Sequence, residues 1–445
     1  MEDFIFAPLV LTVGLGIHAA VLRQHSSAEG RLLTASFSMH IAAGLGQVLL
    51  TRYYFVGGDM FGYFETGVPM ADALRSDFAF FAPAIVEGFF QAEELSAPIE
   101  FMPGGGTTQS MSAVAIFLLF LLGNSLYAVV FFVSVLSFLS KVLLYRALRS
   151  EFPPHVQPYL LMGATLLPTA VFWSCGLLKE PIVMAMLGPL LLGLKWILAR
   201  HRTAPAIAMV ISSAVVVTMI KPYVVMVLSI ASGLFYLWSR LLSRDSAALK
   251  PFALITASVI GLSGFVVGNR YFAKAQDDDT ASALSRQRQA GYGVEGGSNF
   301  SIEGGGGADG EVKNRSVVYE FALAPFAIFT ALFRPMIFEV RNAVQLANGI
   351  EATALLFIFI QILRQRGMRG MLKAIRGSPA LLFCAVFTLA LALGTGLATT
   401  NMGTLSRYRA PMMPFFFILL MVLRYGRQSE SAPAKVALTP AVAAR

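Results

Sequence analysis

Long apolar runs separated by short polar connections dominate this chain. About eleven of the runs are long enough to cross a bilayer as an α-helix. They lack the alternating ten-residue pattern of a transmembrane barrel, and backbone groups in lipid must be paired within their own segment, so helices are the expected spanning structure. The pattern therefore predicts an all-α integral membrane protein. The predicted spans are 4–22, 32–51, 125–145, 157–175, 181–199, 204–220, 223–241, 251–268, 345–364, 379–398 and 411–424.

Two further apolar runs, 111–123 and 321–333, are shorter, at about thirteen residues each. A helix of that length is too short to span, so we interpret both as half-segments that enter from the outer face. If both crossed, the basic connections between them would face outside, against the preference of Lys and Arg for the cytoplasmic side.

The Lys and Arg residues between spans predict the orientation. The predicted cytoplasmic connections hold Arg23 and Arg31; Lys141, Arg146 and Arg149; Arg200 and Arg202; Arg240, Arg244 and Lys250; and Arg364, Arg366, Arg369, Lys373 and Arg376. This arrangement predicts an outside N-terminus, a cytoplasmic C-terminus and a single transmembrane domain over 1–427. It also predicts long external loops at 52–110 and 269–318, and a short disordered cytoplasmic tail at 428–445. The acidic start MEDF differs from the cationic start of a cleavable signal peptide, so we expect the first span to be retained.

The composition agrees with this class, since 56% of residues are hydrophobic and only 13% are charged. The net charge of +9 comes largely from Lys and Arg between spans, so it indicates membrane topology and no nucleic-acid partner. The two cysteines and five histidines show no metal-site spacing, and the sequence indicates neither a disulfide framework nor a zinc site.

Charged residues also collect at the predicted outer ends of the spans. Lys179 and Glu180 interrupt the apolar stretch FWSCGLLKEPI, and Lys221 lies in the hairpin MIKPYV. A single Lys or Arg at a span end usually reaches toward headgroups, but many cations on the disfavoured face indicate an anionic ligand. We therefore predict a site for a lipid phosphate or pyrophosphate, since Arg binds phosphate through paired donors. The predicted phosphate ligands are Lys179, Lys221, Arg334, Arg341, Arg407 and Arg409, with Glu180 and Glu339 orienting them.

Asp59, in the stretch GGDMFGYFE, supplies a carboxylate on the same predicted face. It is the candidate catalytic residue, either as the base that removes a proton from a sugar hydroxyl or as a ligand of a divalent metal. The alternative is an Asp that only stabilises a Gly-Gly-Asp turn. Glu65 is a weaker second candidate.

With these residues in place, the chain resembles the GT-C glycosyltransferases, which carry an acidic residue in the first external loop and half-helices on the same face. FWSCGLLKE, LFRPMIFE and NMGTLSRYRAPMMPF are also similar to bacterial membrane proteins of polysaccharide assembly. The chain departs from the paired Asp-x-Asp of many GT-C enzymes, because Met60 and Phe61 follow Asp59. It also looks like the O-antigen polymerases and ligases, whose Arg-x10-Gly pattern is matched by Arg286 and Gly297.

The resemblance implies a membrane enzyme that transfers sugar from a polyprenyl-linked donor to an acceptor glycan outside a bacterial inner membrane. Membrane lipids and other polysaccharide-assembly proteins are the further partners it implies. Two alternatives stay open: a flippase or transporter for lipid-linked glycans, and a non-catalytic subunit of a polysaccharide export complex. Scarce charges within the predicted spans favour the enzyme over the flippase.

Overall fold

A computed structural model describes residues 2–243, 322–340 and 343–426. The predicted span 251–268, the external loop 269–318 with its Arg-x10-Gly match, Arg341 and the tail 428–445 lie outside the described residues. The described residues form helices and no β-strand, which confirms the all-α class. The helices are α1 (Asp3–Leu22), α2 (Ser27–Leu50), α3 (Asp59–Ser76), α4 (Phe78–Phe89), α5 (Gly106–Leu121), α6 (Leu126–Leu148), α7 (Gln157–Thr165), α8 (Pro168–Phe172), α9 (Lys179–Leu198), α10 (Thr203–Ile220), α11 (Pro222–Ser243), α12 (Ala324–Phe333), α13 (Ala343–Arg376), α14 (Pro379–Ala398), α15 (Met402–Tyr408) and α16 (Met413–Tyr425).

Within the described residues, eight helices are long and apolar enough to cross a membrane. They contain α1, α2, α6, α9, α10, α11, α13 and α14. A ninth span is formed if α15 and α16, which are bent by 72° at a short break, are taken together. The chain is thus a multi-pass helical membrane protein, and the total of about eleven spans stays a prediction.

The predicted span 157–175 is broken in the structure into α7 and the five-residue helix α8. Leu167, between them, is extended at φ −62° and ψ 119°. The break has a local cause, because the ring of Pro168 disfavours a helical conformation at the residue before it. A chain segment of this kind leaves backbone carbonyls and amides that must be paired inside the bundle.

Lys141 pairs one of these backbone groups, and the prediction that it lies in a cytoplasmic connection is wrong. It lies within α6 and is only 1% exposed. Its ammonium donates to the carbonyl of Ala170 at 3.0 Å and to the hydroxyl of Ser174 at 2.7 Å. Lys141 therefore stabilises the end of α8 from within the bundle.

The two predicted half-segments form short apolar helices, α5 and α12. Helices α4 and α5 make an antiparallel hairpin: the rings of Phe78 and Phe120 lie 5.7 Å apart at one end, and Gln91 donates to Ser110 at 2.8 Å at the other. The loop between the two helices contains the glycine-rich stretch PGGGTT, whose last three residues begin α5.

Helices α6 and α9 pack side by side in the same direction. Ser137 donates to the carbonyl of Pro181 at 3.3 Å, and further along Lys195 donates to the carbonyl of Ala147 at 2.7 Å. Since Pro181 is near the start of α9 and Ser137 is well inside α6, α9 begins roughly nine residues, or about 14 Å, down the length of α6. The charged residues at the start of α9 are therefore recessed relative to the start of α6.

This register depends on a close backbone approach at Gly188. A Cβ atom there would lie 1.8 Å from the carbonyl oxygen of Ser140, closer than any real contact. The missing side chain lets the Gly188 amide donate to the Ser140 hydroxyl at 2.9 Å. Any larger residue at this position would push α9 away from α6.

Candidate functional site

The candidate site is built around Glu180, at the start of α9. Its side chain is fully buried, and each carboxylate oxygen has a cationic partner. Lys221 Nζ lies 2.5 Å from Oε1, and Arg407 Nε donates to Oε2 at 2.6 Å. Three segments that are far apart in sequence, the starts of α9 and α11 and the end of α15, are thus joined by one buried carboxylate.

Arg407 connects this buried carboxylate to a more exposed one. Its Nη1 donates to Asp59 Oδ2 at 2.6 Å. The side chain of Arg407 is 18% exposed, and that of Asp59 is 46% exposed. One guanidinium therefore bridges an acid that water does not reach and an acid that water does.

Local sequence explains how each residue reaches this position. Gly57 and Gly58, with φ of 140° and 124°, form a turn that other residues disfavour, and Asp59 begins α3 directly after it. Lys221 lies between α10 and α11, where its backbone is non-helical because Pro222 follows it. Asn401 caps the start of α15, the short helix whose last turn carries Arg407.

Lys179, the neighbour of Glu180, faces the hairpin of α4 and α5. Its ammonium donates to the hydroxyls of Thr107 and Thr108 at 3.0 and 2.9 Å. It lies close enough to Asp59, Glu180, Lys221 and Arg407 to interact electrostatically with all four. Among the described residues, no carboxylate forms an ion pair with Lys179, and it is the site's cation without a direct counter-charge.

Several uncharged residues of the site were missed by sequence reasoning. Lys221 Nζ lies 4.1 Å from the centre of the Tyr408 ring, a cation–π contact. Tyr63, one helical turn after Asp59, is 2% exposed and lies close to Thr108. The spacing of Asp59 and Tyr63 was a usable signal for the latter, because residues four apart share a helix face.

We call Asp59, Lys179, Glu180, Lys221 and Arg407 the Glu180 network. It holds three cations and two carboxylates, and so has one positive charge in excess. The two acids are already paired, so the excess is centred on Lys179 and on the donors of Arg407 that its acids leave free. Such an arrangement can receive an anion.

The remaining predicted site residues form a second cluster. Arg334 pairs with Glu339, its Nε lying 2.8 Å and its Nη2 2.5 Å from Oε1, and the amide of Met336 donates to Oε2 at 2.8 Å. Arg409 is fully buried, and its Nη1 donates to the carbonyl of Arg334 at 2.8 Å. Arg341 lies outside the described residues.

Arg407 and Arg409 are therefore not brought together as ligands of one group. They are two positions apart on helical backbone at the end of α15, which turns their side chains to nearly opposite sides. Nε and Nη2 of Arg409 have no hydrogen-bond partner among the described residues. Glu351 is near enough to interact electrostatically with Arg409, but its Oε2 instead accepts from the amide of Thr169 at 2.8 Å.

Glu339 lies outside the candidate spans, and its pKa is lowered below the usual value of a glutamate. Partial burial acts to raise this pKa. The hydrogen bonds from Arg334 and from the Met336 amide, together with the charge of Arg334, outweigh that effect. Glu339 therefore orients Arg334 as a carboxylate.

The donor set of the network does not fit a divalent metal. Both oxygens of Glu180 and one oxygen of Asp59 already accept from cations, and a hard metal ion requires several free oxygen ligands. No group of three or more His, Cys, Asp or Glu side chains with metal-site geometry occurs within 2–243, 322–340 and 343–426. We derive no step through a metal.

Comparison with protein-family models, with curated proteins and with solved structures gives no match to this chain.

Proposed function

We propose that this protein is a membrane glycosyltransferase or polysaccharide polymerase that uses a polyprenyl-phosphate- or pyrophosphate-linked sugar donor. The reaction belongs to the assembly of a cell-surface or exported polysaccharide. The observation that carries the proposal is the Glu180 network, in which a part-exposed carboxylate and a bridging guanidinium lie beside Lys179, which forms no ion pair with a carboxylate in the described part of the chain. A base beside an anion site is the minimum that sugar transfer from a lipid phosphate requires.

Each residue of the network has a role in this reaction. Lys179 and Arg407 bind the donor phosphate, and Glu180 holds Arg407 and Lys221 in position. Asp59 accepts the proton of the acceptor hydroxyl as its oxygen attacks the anomeric carbon. The bond from that carbon to the phosphate oxygen breaks, its electron pair passes to the phosphate, and the cations stabilise the added charge.

The proposed topology places this reaction on the extracytoplasmic side of the membrane. The N-terminus is outside, the C-terminus is cytoplasmic, about eleven helices span a bacterial inner membrane, and α5 and α12 enter from the outer face. The basic connections between spans support this orientation. The Glu180 network then opens to the extracytoplasmic side.

The test is a transfer assay with the full chain in lipid, given a polyprenyl-linked oligosaccharide and an acceptor glycan. We expect the wild type to form a new glycosidic bond, and Asp59→Asn and Arg407→Ala to lose at least a hundredfold in rate. Asp72→Asn is the matched control, because it removes a similar charge from the other end of α3 and should retain activity. No new bond with the wild type across donor classes would refute the proposal.

A flippase is the second candidate, because the structure buries three charged side chains inside the bundle. Lys141 is 1%, Glu351 8% and Arg409 0% exposed. Buried charges in a membrane domain are costly and often mark a substrate path. Movement of a lipid-linked glycan between leaflets without any new bond, reduced by Lys141→Met, would favour the flippase over the enzyme.

A further inference from the structure

The two carboxylates bound by Arg407 differ in how readily they can be replaced. Glu180 is fully buried and pairs with Lys221 as well, so its separation from Arg407 would leave charges unpaired away from water. The Asp59 side chain is 46% exposed, and water screens its pair with Arg407. The Arg407 guanidinium is therefore held firmly by Glu180 at Nε and weakly by Asp59 at Nη1.

We propose that the phosphate of the lipid-linked donor displaces the Asp59 carboxylate from Arg407, so that donor binding itself releases the base. The inference rests on the function proposed above and adds an order of events. Phosphate and Asp59 compete for the same guanidinium donors, and phosphate has the further attraction of Lys179. The Glu180 pair keeps Arg407 in place during the exchange.

The backbone before Asp59 gives the carboxylate room to move. Gly57 and Gly58 adopt positive φ, and a Cβ atom at either would have no neighbour within 4 Å. Two glycines in open space can change φ and ψ at little cost. The exchange therefore needs no movement of α9 or α15.

Displacement also changes the chemistry of Asp59. In the free site, Asp59 Oδ2 accepts the hydrogen bond from Arg407 Nη1, so the guanidinium occupies this oxygen. Once released, it can accept the proton of an acceptor hydroxyl. The acceptor is thus activated only after the donor has bound, which limits proton abstraction at an empty site.

The inference is tested by whether variants of Asp59 bind a lipid phosphate more tightly or more weakly than the wild type does. The full chain in nanodiscs is titrated with a sugar-free polyprenyl monophosphate, and in a second arm with inorganic phosphate. Because Asp59 is a competitor, Asp59→Asn and Asp59→Ala should each bind the lipid phosphate about tenfold more tightly than the wild type. Asp72→Asn, on the same helix, should bind as the wild type does.

The outcomes separate this inference from the proposed function. Equal or weaker binding by both Asp59 variants, with wild-type binding intact, overturns displacement and leaves the phosphate site standing. No binding by any form overturns both. Tighter binding by the Asp59 variants supports displacement even if the wild type makes no glycosidic bond. A gain in the inorganic phosphate arm alone would overturn the lipid donor as the displacing group.

Discussion

The Glu180 network and the cluster around Arg409 lie on opposite sides of α15, and their buried charges are treated differently. In the network, Glu180 is paired at both oxygens with cations at 2.5 and 2.6 Å. Arg409 is equally buried, but one backbone carbonyl is its hydrogen-bond acceptor among the described residues. Both clusters contain arginines that the sequence presents alike, two positions apart.

This difference in pairing suggests two roles for buried charge: Glu180 fixes the positions of the cations of the network, whereas Arg409 connects two helix ends. A charge paired on both sides in a dry environment is geometrically determined, which suits a residue that must meet a substrate. Arg409 instead links the end of α15 to the turn after α12 through the Arg334 carbonyl. The predictions below test that division.

The largest effect is expected at Glu180. Glu180→Gln leaves Lys221 and Arg407 in a buried position without their shared counter-charge, which should lower the free energy of unfolding by about 3–5 kcal/mol. Equilibrium unfolding in mixed detergent measures this, with the exposed Asp72→Asn as control, expected within about 0.5 kcal/mol. A loss equal to that of the control would show that Glu180 is not the centre of the network.

The two arginines of α15 should then differ. Arg407→Met removes a cation from Glu180 and should cost about 3 kcal/mol, because the buried Oε2 loses its partner while Oε1 keeps Lys221. Arg409→Met replaces a poorly paired buried charge with an apolar side chain of similar length and should cost about 1 kcal/mol or less. The same unfolding assay compares them directly, and equal losses would remove the distinction between the clusters.

Asp59 should matter little for folding. Since its pair with Arg407 is part-exposed, Asp59→Asn should change the free energy of unfolding by about 1 kcal/mol or less. A stable variant that has lost transfer activity would identify a functional carboxylate. A loss as large as that of Glu180→Gln would instead give Asp59 a structural role.

The smallest effect concerns Glu339 and pH. Its pKa is lower in the folded protein than in the unfolded chain, so its contribution to stability is present above the unfolded value of about 4.5 and is lost as pH falls through the lower folded value. Melting temperatures of the wild type and Glu339→Gln should differ at pH 7 and converge as the pH is lowered below 4.5. A constant difference would show that the Arg334 pair does not carry the effect.

Much of the fold could be predicted, because a helix that crosses the hydrocarbon core of a bilayer must consist of a long run of apolar residues. The exception at 157–175 shows the limit: the run contains no charged residue, yet Pro168 breaks it, and distant side chains such as Lys141 pair the freed backbone. Hydropathy counts residues and cannot show which charged residue a broken helix will bring into the bundle.

The candidate site could be predicted in part. Charged residues at the predicted outer ends of the spans indicate a site, and the structure brings five of them together: Asp59, Lys179, Glu180, Lys221 and Arg407. The pairing of Arg407 could not be predicted, since its contacts with Glu180 and Asp59 join positions 227 and 348 residues apart.

Residues outside the Glu180 network show which sequence signals were absent or overlooked. Thr107 and Thr108 gave no signal, because hydroxyl residues are common everywhere. Helical periodicity over NMGTLSRYRAP would have separated Arg409 from Arg407 once a helix was recognised there.

The offset between α6 and α9 has a consequence for the bilayer itself. A lipid phosphate bound at Lys179, as proposed, would lie about 14 Å along α6 from the start of that helix. Lipids that reach such a recess would thin locally or tilt, at a cost of about a fraction of a kcal/mol for each ångström of mismatch. Membrane thickness would then be a physical variable that sets how readily this protein takes up its lipid, independent of any change in its amino acids.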